Sequence, residues 1–129
     1  MNKTKDKLYC VYVHVFPNKK KYVGKTSKPL RARWDGGLGY AGQWDMCNAV
    51  LKYGWDNIKH YIVADGLCEH EAALLEAYLI KKWKTCTKSY GYNMILPAVD
   101  GLDSFNPGEI KIKDLMQKKF YICNLFDLF

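Results

Sequence analysis

Residues 8–16 form an unbroken stretch of apolar and aromatic side chains, interrupted only by His14, and the odd positions Tyr9, Val11, Val13 and Val15 make one continuous apolar face. This period-two pattern of β-branched and aromatic residues predicts a strand with one buried side. Pro17 and Asn18 break it, residues 20–25 read as a second strand, and the pair should close as a hairpin. A loop of residues 17–19 then sets Phe16 opposite Lys20, His14 opposite Tyr22 and Tyr12 opposite Gly24, with all these even-numbered residues on one face. Ser27 followed by Pro29 predicts a short helix over 29–34, ended by the glycines at 36, 37, 39 and 42. Met46, Ala49, Val50 and Tyr53 recur at helical spacing and predict a second helix over 43–53, with Gly54 in the stop position. A third strand is expected over 58–64. A long helix over 69–84 opens on Glu69 and Glu71 and closes on Lys81, Lys82 and Lys84, as the helix dipole favours. Beyond Asn93 the signal fades into a loop marked by Pro97, Gly101, Pro107 and Gly108, and residues 110–120 have a helix-compatible pattern. No internal repeat is present.

The long helix contains an anomaly. Glu76 lies in the middle of its apolar stripe, and the positions three and four residues away are Ala72, Ala73, Leu79 and Ile80. A helical glutamate ordinarily pairs with a base at that spacing, and here none is available. Burying an ionised carboxylate without a partner is costly, so Glu76 should find a distant cation, a donor network or a metal. On the even face of the hairpin, Tyr12, His14 and Tyr22 gather beside Gly24, whose missing side chain allows a close approach to the backbone. Lys25, Lys28, Arg31 and Arg33 follow closely, and aromatics interleaved with bases suit phosphate contacts and stacking. Residues 37–42 literally spell GxGxxG, but a dinucleotide fingerprint needs a strand directly before its first glycine, and a predicted helix intervenes. His60 and His70 have no second ligand at metal spacing and read as structural or exposed.

Charge changes the picture through its distribution. Of the net +7, residues 1–35 carry ten basic and two acidic side chains, residues 36–90 six of each, and residues 91–129 four basic and five acidic. A basic surface of this kind, to which Lys19, Lys20, Lys21, Lys28 and Arg31 would contribute, attracts a polyanion, and nucleic acid is the expected partner. The longest apolar run falls far short of the roughly 20 residues of a spanning helix, and no small-residue cleavage site follows it. No membrane role is expected. The five cysteines form no close pair, which suggests neither a disulfide framework nor a zinc knuckle and points to the cytoplasm. With 129 residues, 49% of them hydrophobic, the chain should build one core, and disorder is excluded.

Cys10-Val11-Tyr12, "KYVGKTS" with Tyr22-Val23-Gly24, "RARW" with Arg33, "EAALLEAYLIKKW" with Glu76, and Gly91-Tyr92-Asn93 occur in the order of the GIY-YIG endonucleases, which this sequence resembles over residues 8–93. "KYGWDNIKH" is similar to a stretch that phage and homing members carry. The resemblance implies an α+β fold, a small three-stranded antiparallel sheet flanked by helices. It also implies a nuclease domain over 1–93, to which residues 94–129 add an extension packing on the same domain. The implied activity is metal-dependent hydrolysis of DNA phosphodiester bonds, with one divalent cation, Mg²⁺ or Mn²⁺, in a phage- or mobile-element-like protein of a bacterial or phage-infected cell. By the same resemblance Glu76 matches the metal-holding glutamate, Arg33 the arginine that steadies phosphate charge, and Asn93 the asparagine that braces the site. Tyr12 and Tyr22 match the site tyrosines, one a proposed general base, and Lys25 follows the glycine as in repair members. A phenol is a poor base at neutral pH, so Tyr12 would need a nearby cation such as Lys25 to lower its pKa. The sequence departs from the pattern in placing Cys10 at the opening glycine, in having no histidine between His14 and His60, where Tyr40 is a substitute, and in Met94-Ile95-Leu96-Pro97 after Asn93. Two other functions remain open: a nuclease-derived module that binds nucleic acid or a protein without cutting, and an interaction protein using residues 120–129.

Overall fold

The structure is a computed structural model that describes residues 7–109 and 121–122. The region 110–120, with its helix-compatible pattern, and most of 120–129 lie outside the described residues. In chain order the elements are β1 (Tyr9–Val15), β2 (Lys21–Thr26), α1 (Leu30–Trp34), α2 (Trp44–Tyr53), β3 (Lys59–Leu67), α3 (Glu69–Trp83) and a two-residue β4 (Tyr121–Ile122). They make an α+β fold around an antiparallel sheet of β2, β1 and β3, with β1 in the middle. The short β4 adds a parallel pairing outside β3.

The hairpin closes in the expected register, with Tyr12 opposite Gly24 and His14 opposite Tyr22. Its turn is held by the Phe16 N–H donating to the Lys20 carbonyl (2.9 Å), while Lys19 takes the left-handed conformation (φ 73°). The Asn18 carboxamide oxygen accepts from the Lys20 N–H at 3.0 Å, the local bond that suits asparagine to turns.

Strand β1 differs from expectation in being buried on both sides. Its odd face, Val11 and Val13, packs with Val23, Val63 and the α3 residues Ala72, Leu75, Leu79 and Ile80. Its even face, Tyr12 and Phe16, packs with Trp34, Tyr40, Met46 and Ala49 from α1, α2 and the segment between them. Helices cover both faces of the central strand, and a strand in that position reads as a continuous apolar run rather than an alternation. The consequence is that the polar tips of Tyr12 and His14 are carried into the interior.

Helix α3 begins with a capping box built on a cysteine: the Cys68 Sγ accepts from the Glu71 N–H (3.5 Å) and the Glu71 carboxylate accepts from the Cys68 N–H (3.0 Å). After α3 the chain folds back along the free side of β2. Lys21 and Gly91 form a parallel bridge, Lys21 donates to the Tyr90 carbonyl (3.1 Å) and Tyr92 donates to that of Lys21 (3.0 Å). A Cβ on Gly91 would stand 2.5 Å from both the Lys21 carbonyl oxygen and the Thr85 backbone. Only glycine lets the two backbones meet. Further on, Phe105 packs edge-on to Tyr78 of α3 (5.7 Å) and Lys81 pairs with Asp103 at 3.6 Å, an exposed pair of little energetic weight.

Candidate active site

Tyr12 and Tyr22 project from adjacent strands onto the even face. A Cβ on Gly24 would stand 2.5 Å from both Cζ and the hydroxyl oxygen of Tyr12. The missing side chain is therefore what allows the Tyr12 phenol to lie across β2, and it carries the hydroxyl to the sheet's edge strand. Trp34, buried at the end of α1, meets the Tyr12 ring edge-on at 5.3 Å. That anchor fixes the short helix and sets its neighbour Arg33 over the same face.

Arg33 donates through Nη1 to the Gly39 carbonyl at 3.0 Å, and its guanidinium lies 4.5 Å above the Tyr40 ring. Residues 35–40 form a tight 3-10 turn that returns Tyr40 to the even face, 5.1 Å from the Tyr22 ring. The GxGxxG string is thus part of a turn and cap, with a helix rather than a strand before it. Arg33 and Gln43 both reach the Tyr22 hydroxyl, and Arg33 also reaches that of Tyr12. Burial works against the guanidinium charge, but the three phenols around it outweigh burial and raise its pKa.

Glu76 comes from α3, on the opposite side of the sheet, and is itself largely buried on a helix that also buries Ala72, Leu75, Ala77, Leu79 and Ile80. Burial raises its pKa above the ordinary carboxylate value, and the charge of Lys25 partly offsets this. The carboxylate's field in turn reaches both phenols around the edge strand. Burial pushes the Tyr12 hydroxyl up to about 12, against the opposing charge of Arg33. Tyr22 is shifted upward for the same leading reason.

The basic side chain whose charge acts on Tyr12 is Arg33, while that of Lys25 acts on Glu76. Lys25 alternates onto the α3 side of β2, where its ammonium lies 5.8 Å from the Tyr9 ring. Asn93 is spent entirely on the backbone of Val23: its side chain accepts from the Val23 N–H at 2.9 Å and donates to the Val23 carbonyl at 2.8 Å. It pins the edge strand between Tyr22 and Gly24. Replacing Asn93 by Ala leaves both groups of Val23 unpaired and should lower stability by about 1–3 kcal/mol, read by urea unfolding. Asn93→Asp should not restore it, because its second oxygen would face the Val23 carbonyl.

The basic residues frame this site. Lys19, Lys20 and Lys21 stand at the hairpin turn, with the Lys20 ammonium 5.5 Å from the Tyr92 ring and that of Lys21 5.3 Å from the Trp83 ring. Lys28 and Arg31 are exposed beyond the other end of β2. His14 is fully buried behind Tyr22, its ring stacked at 5.9 Å. Sequence reasoning missed Gln43 and the pairing of His60 with His14. The second follows from the β1–β3 register, in which those residues face each other. His60 is half-buried and is held between His14 Nδ1 and the Trp55 carbonyl.

Among the described residues no three His, Cys, Asp or Glu side chains gather as a metal cluster, and no helix is long and apolar enough to cross a membrane. A single largely buried carboxylate is nevertheless a donor that fits a hard cation whose shell is otherwise filled by phosphate and water.

Phenols, a guanidinium and a largely buried carboxylate thus stand around one edge strand. Residues 8–93 match the model of the GIY-YIG catalytic domain, about two thirds of the sequence, and the chain belongs to the GIY-YIG family, whose members are endonucleases. Neither the curated proteins nor the solved structures compared with it gave a match.

Proposed function

We propose that this protein is a metal-dependent endonuclease that hydrolyses DNA phosphodiester bonds, in a phage- or mobile-element-like setting. The observation that carries the reading is the Glu76 carboxylate, buried at an energetic cost and electrostatically joined to Tyr12 and Tyr22 around the edge strand. A fold does not keep such a group in its interior for stability.

In this reading Glu76 holds the cation, Mg²⁺ or Mn²⁺, which when bound polarises the phosphoryl oxygen and steadies the leaving oxygen. Arg33, charged at any accessible pH, faces the phosphate. Tyr12 and Tyr22 stay protonated in the free protein, since burial raises both, and orient water and phosphate through hydrogen bonds. Lys25 balances Glu76, and Asn93 and Gly24 keep the edge strand and the phenol in place. Lys19, Lys20, Lys21, Lys28 and Arg31 flank the centre at both ends of β2 and suit a DNA backbone running along it. Cys47, Cys68 and Cys86 are free thiols, which supports the cytoplasm of a bacterial or phage-infected cell.

The test incubates supercoiled plasmid with the protein and Mg²⁺ or Mn²⁺, beside the same mixture in EDTA. Nicked or linear product that requires the cation is the expected result; DNA that is retarded in gels but stays uncut would favour a binding module. Binding should weaken steeply with salt, by about one counterion per phosphate contact.

A further inference from the structure

A chain of hydrogen bonds runs inward from Tyr12, and its direction can be worked out from the far end. The Trp55 carbonyl oxygen, 3.1 Å from His60 Nε2, can only accept, so His60 carries its hydrogen on Nε2. A neutral His60 then has a bare lone pair on Nδ1, which faces His14 Nδ1 at 2.9 Å. His14 must supply the hydrogen there, and its own lone pair falls on Nε2. The Tyr40 hydroxyl, 2.7 Å from that nitrogen, therefore donates its only proton to His14. Tyr40 has nothing left to give to the Tyr12 hydroxyl at 3.4 Å, so between those two oxygens Tyr12 is the donor.

We propose that His14 and His60 are positioning residues that, through Tyr40, hold the Tyr12 hydroxyl hydrogen inward and leave that oxygen's lone pairs turned towards the Arg33 guanidinium. The proposal rests on the nuclease reading only for its consequence: an oxygen so turned accepts a hydrogen bond from Arg33 and steadies that guanidinium for a phosphate.

The rings are fixed for this task. His60 stacks on Trp55 at 4.0 Å, and Trp34 meets His14 at 5.0 Å and His60 at 5.3 Å. Burial keeps both histidines neutral; the other influences on them are His60 and Arg33 on His14, and the Trp55 carbonyl and Asp56 on His60. The chain is an orienting device rather than a proton wire. Tyr12 is held up to about 12 and His60 below its ordinary 6.5, so a proton is not drawn from the first to the second.

The experiment is ¹⁵N NMR of the full chain with labelled histidine, at neutral pH and without DNA. The expected result is an Nε2–H tautomer for His60, an Nδ1–H tautomer for His14, and a scalar coupling between the two Nδ1 atoms across their shared hydrogen. His14 found as the Nε2–H tautomer or as an imidazolium would overturn the proposal, whether or not the protein cuts DNA. In the plasmid assay Tyr40→Phe and His60→Phe, which keep the ring packing, should slow turnover about 10- to 100-fold at unchanged KM, and His60→Asn, which can still accept at that place, should recover part of it. Wild-type turnover in Tyr40→Phe and His60→Phe, with Glu76→Ala inactive, would sink the positioning role and leave the nuclease reading standing.

Discussion

Glu76→Gln should reduce DNA cleavage by roughly 10³-fold or more, the ~4 kcal/mol of charge stabilisation expected from the group that holds a catalytic cation. The amide is nearly isosteric and keeps the packing of α3, so retarded DNA in gel shifts should persist. The same substitution has an opposite effect on stability. The folded-state pKa of Glu76 is raised by burial above the ordinary value, so the ionised form is disfavoured in the fold and not in the unfolded chain. Below the unfolded value the carboxyl is protonated in both states and carries no penalty; the penalty sets in as pH rises through the folded pKa. Without added metal, the Gln variant should therefore melt at a higher temperature than wild type at pH 7, and the margin should close as pH falls towards 4. Equal melting at both pH values would show that the carboxylate costs the fold nothing and would remove the chief argument for its function.

Gly24→Val is the second large effect. Its Cβ alone would overlap the Tyr12 ring, and that ring is fully buried between Trp34 and His14 with nowhere to retreat. Overpacking of this kind costs about 1–3 kcal/mol, and displacement of the phenol by an ångström should lower turnover by about 10²-fold or more. The double variant Gly24→Ala with Tyr12→Leu should regain much of the stability without regaining activity, separating the two losses. Gly42→Ala meets open space and serves as the neutral control. Urea unfolding and single-turnover cleavage read both quantities.

The local chemistry of the chain was legible where it is self-contained. The Pro17–Asn18 turn set the hairpin register, and with it the meeting of Tyr12, Gly24, His14 and Tyr22. Helix α3 declared itself by its charged ends and its stripe, and Glu76 by the absence of any base at helical spacing. What stayed hidden depends on which elements come to rest on which face. Two-sided burial of β1 required knowing that α1 and α2 cover one face and α3 the other. Lys25 is next to Gly24 in sequence, yet strand alternation sends it to the far side, towards Glu76 rather than Tyr12. Strand β3 runs Lys59–Leu67 rather than 58–64, because its pairing with β1 continues past Ala64 through an irregular register. The partnership of His14 and His60 spans 46 residues and follows from no local signal.

Asn93 and the Lys21–Gly91 bridge also bear on how the molecule behaves in a crowded cell. An outer strand normally offers a ladder of vacant amides and carbonyls to any passing polypeptide, which is how fibrils and swapped dimers begin. Here one carboxamide and one glycine-pinched bend occupy those rungs, so the clasp that aligns the phenols is also a guard against self-templated polymerisation.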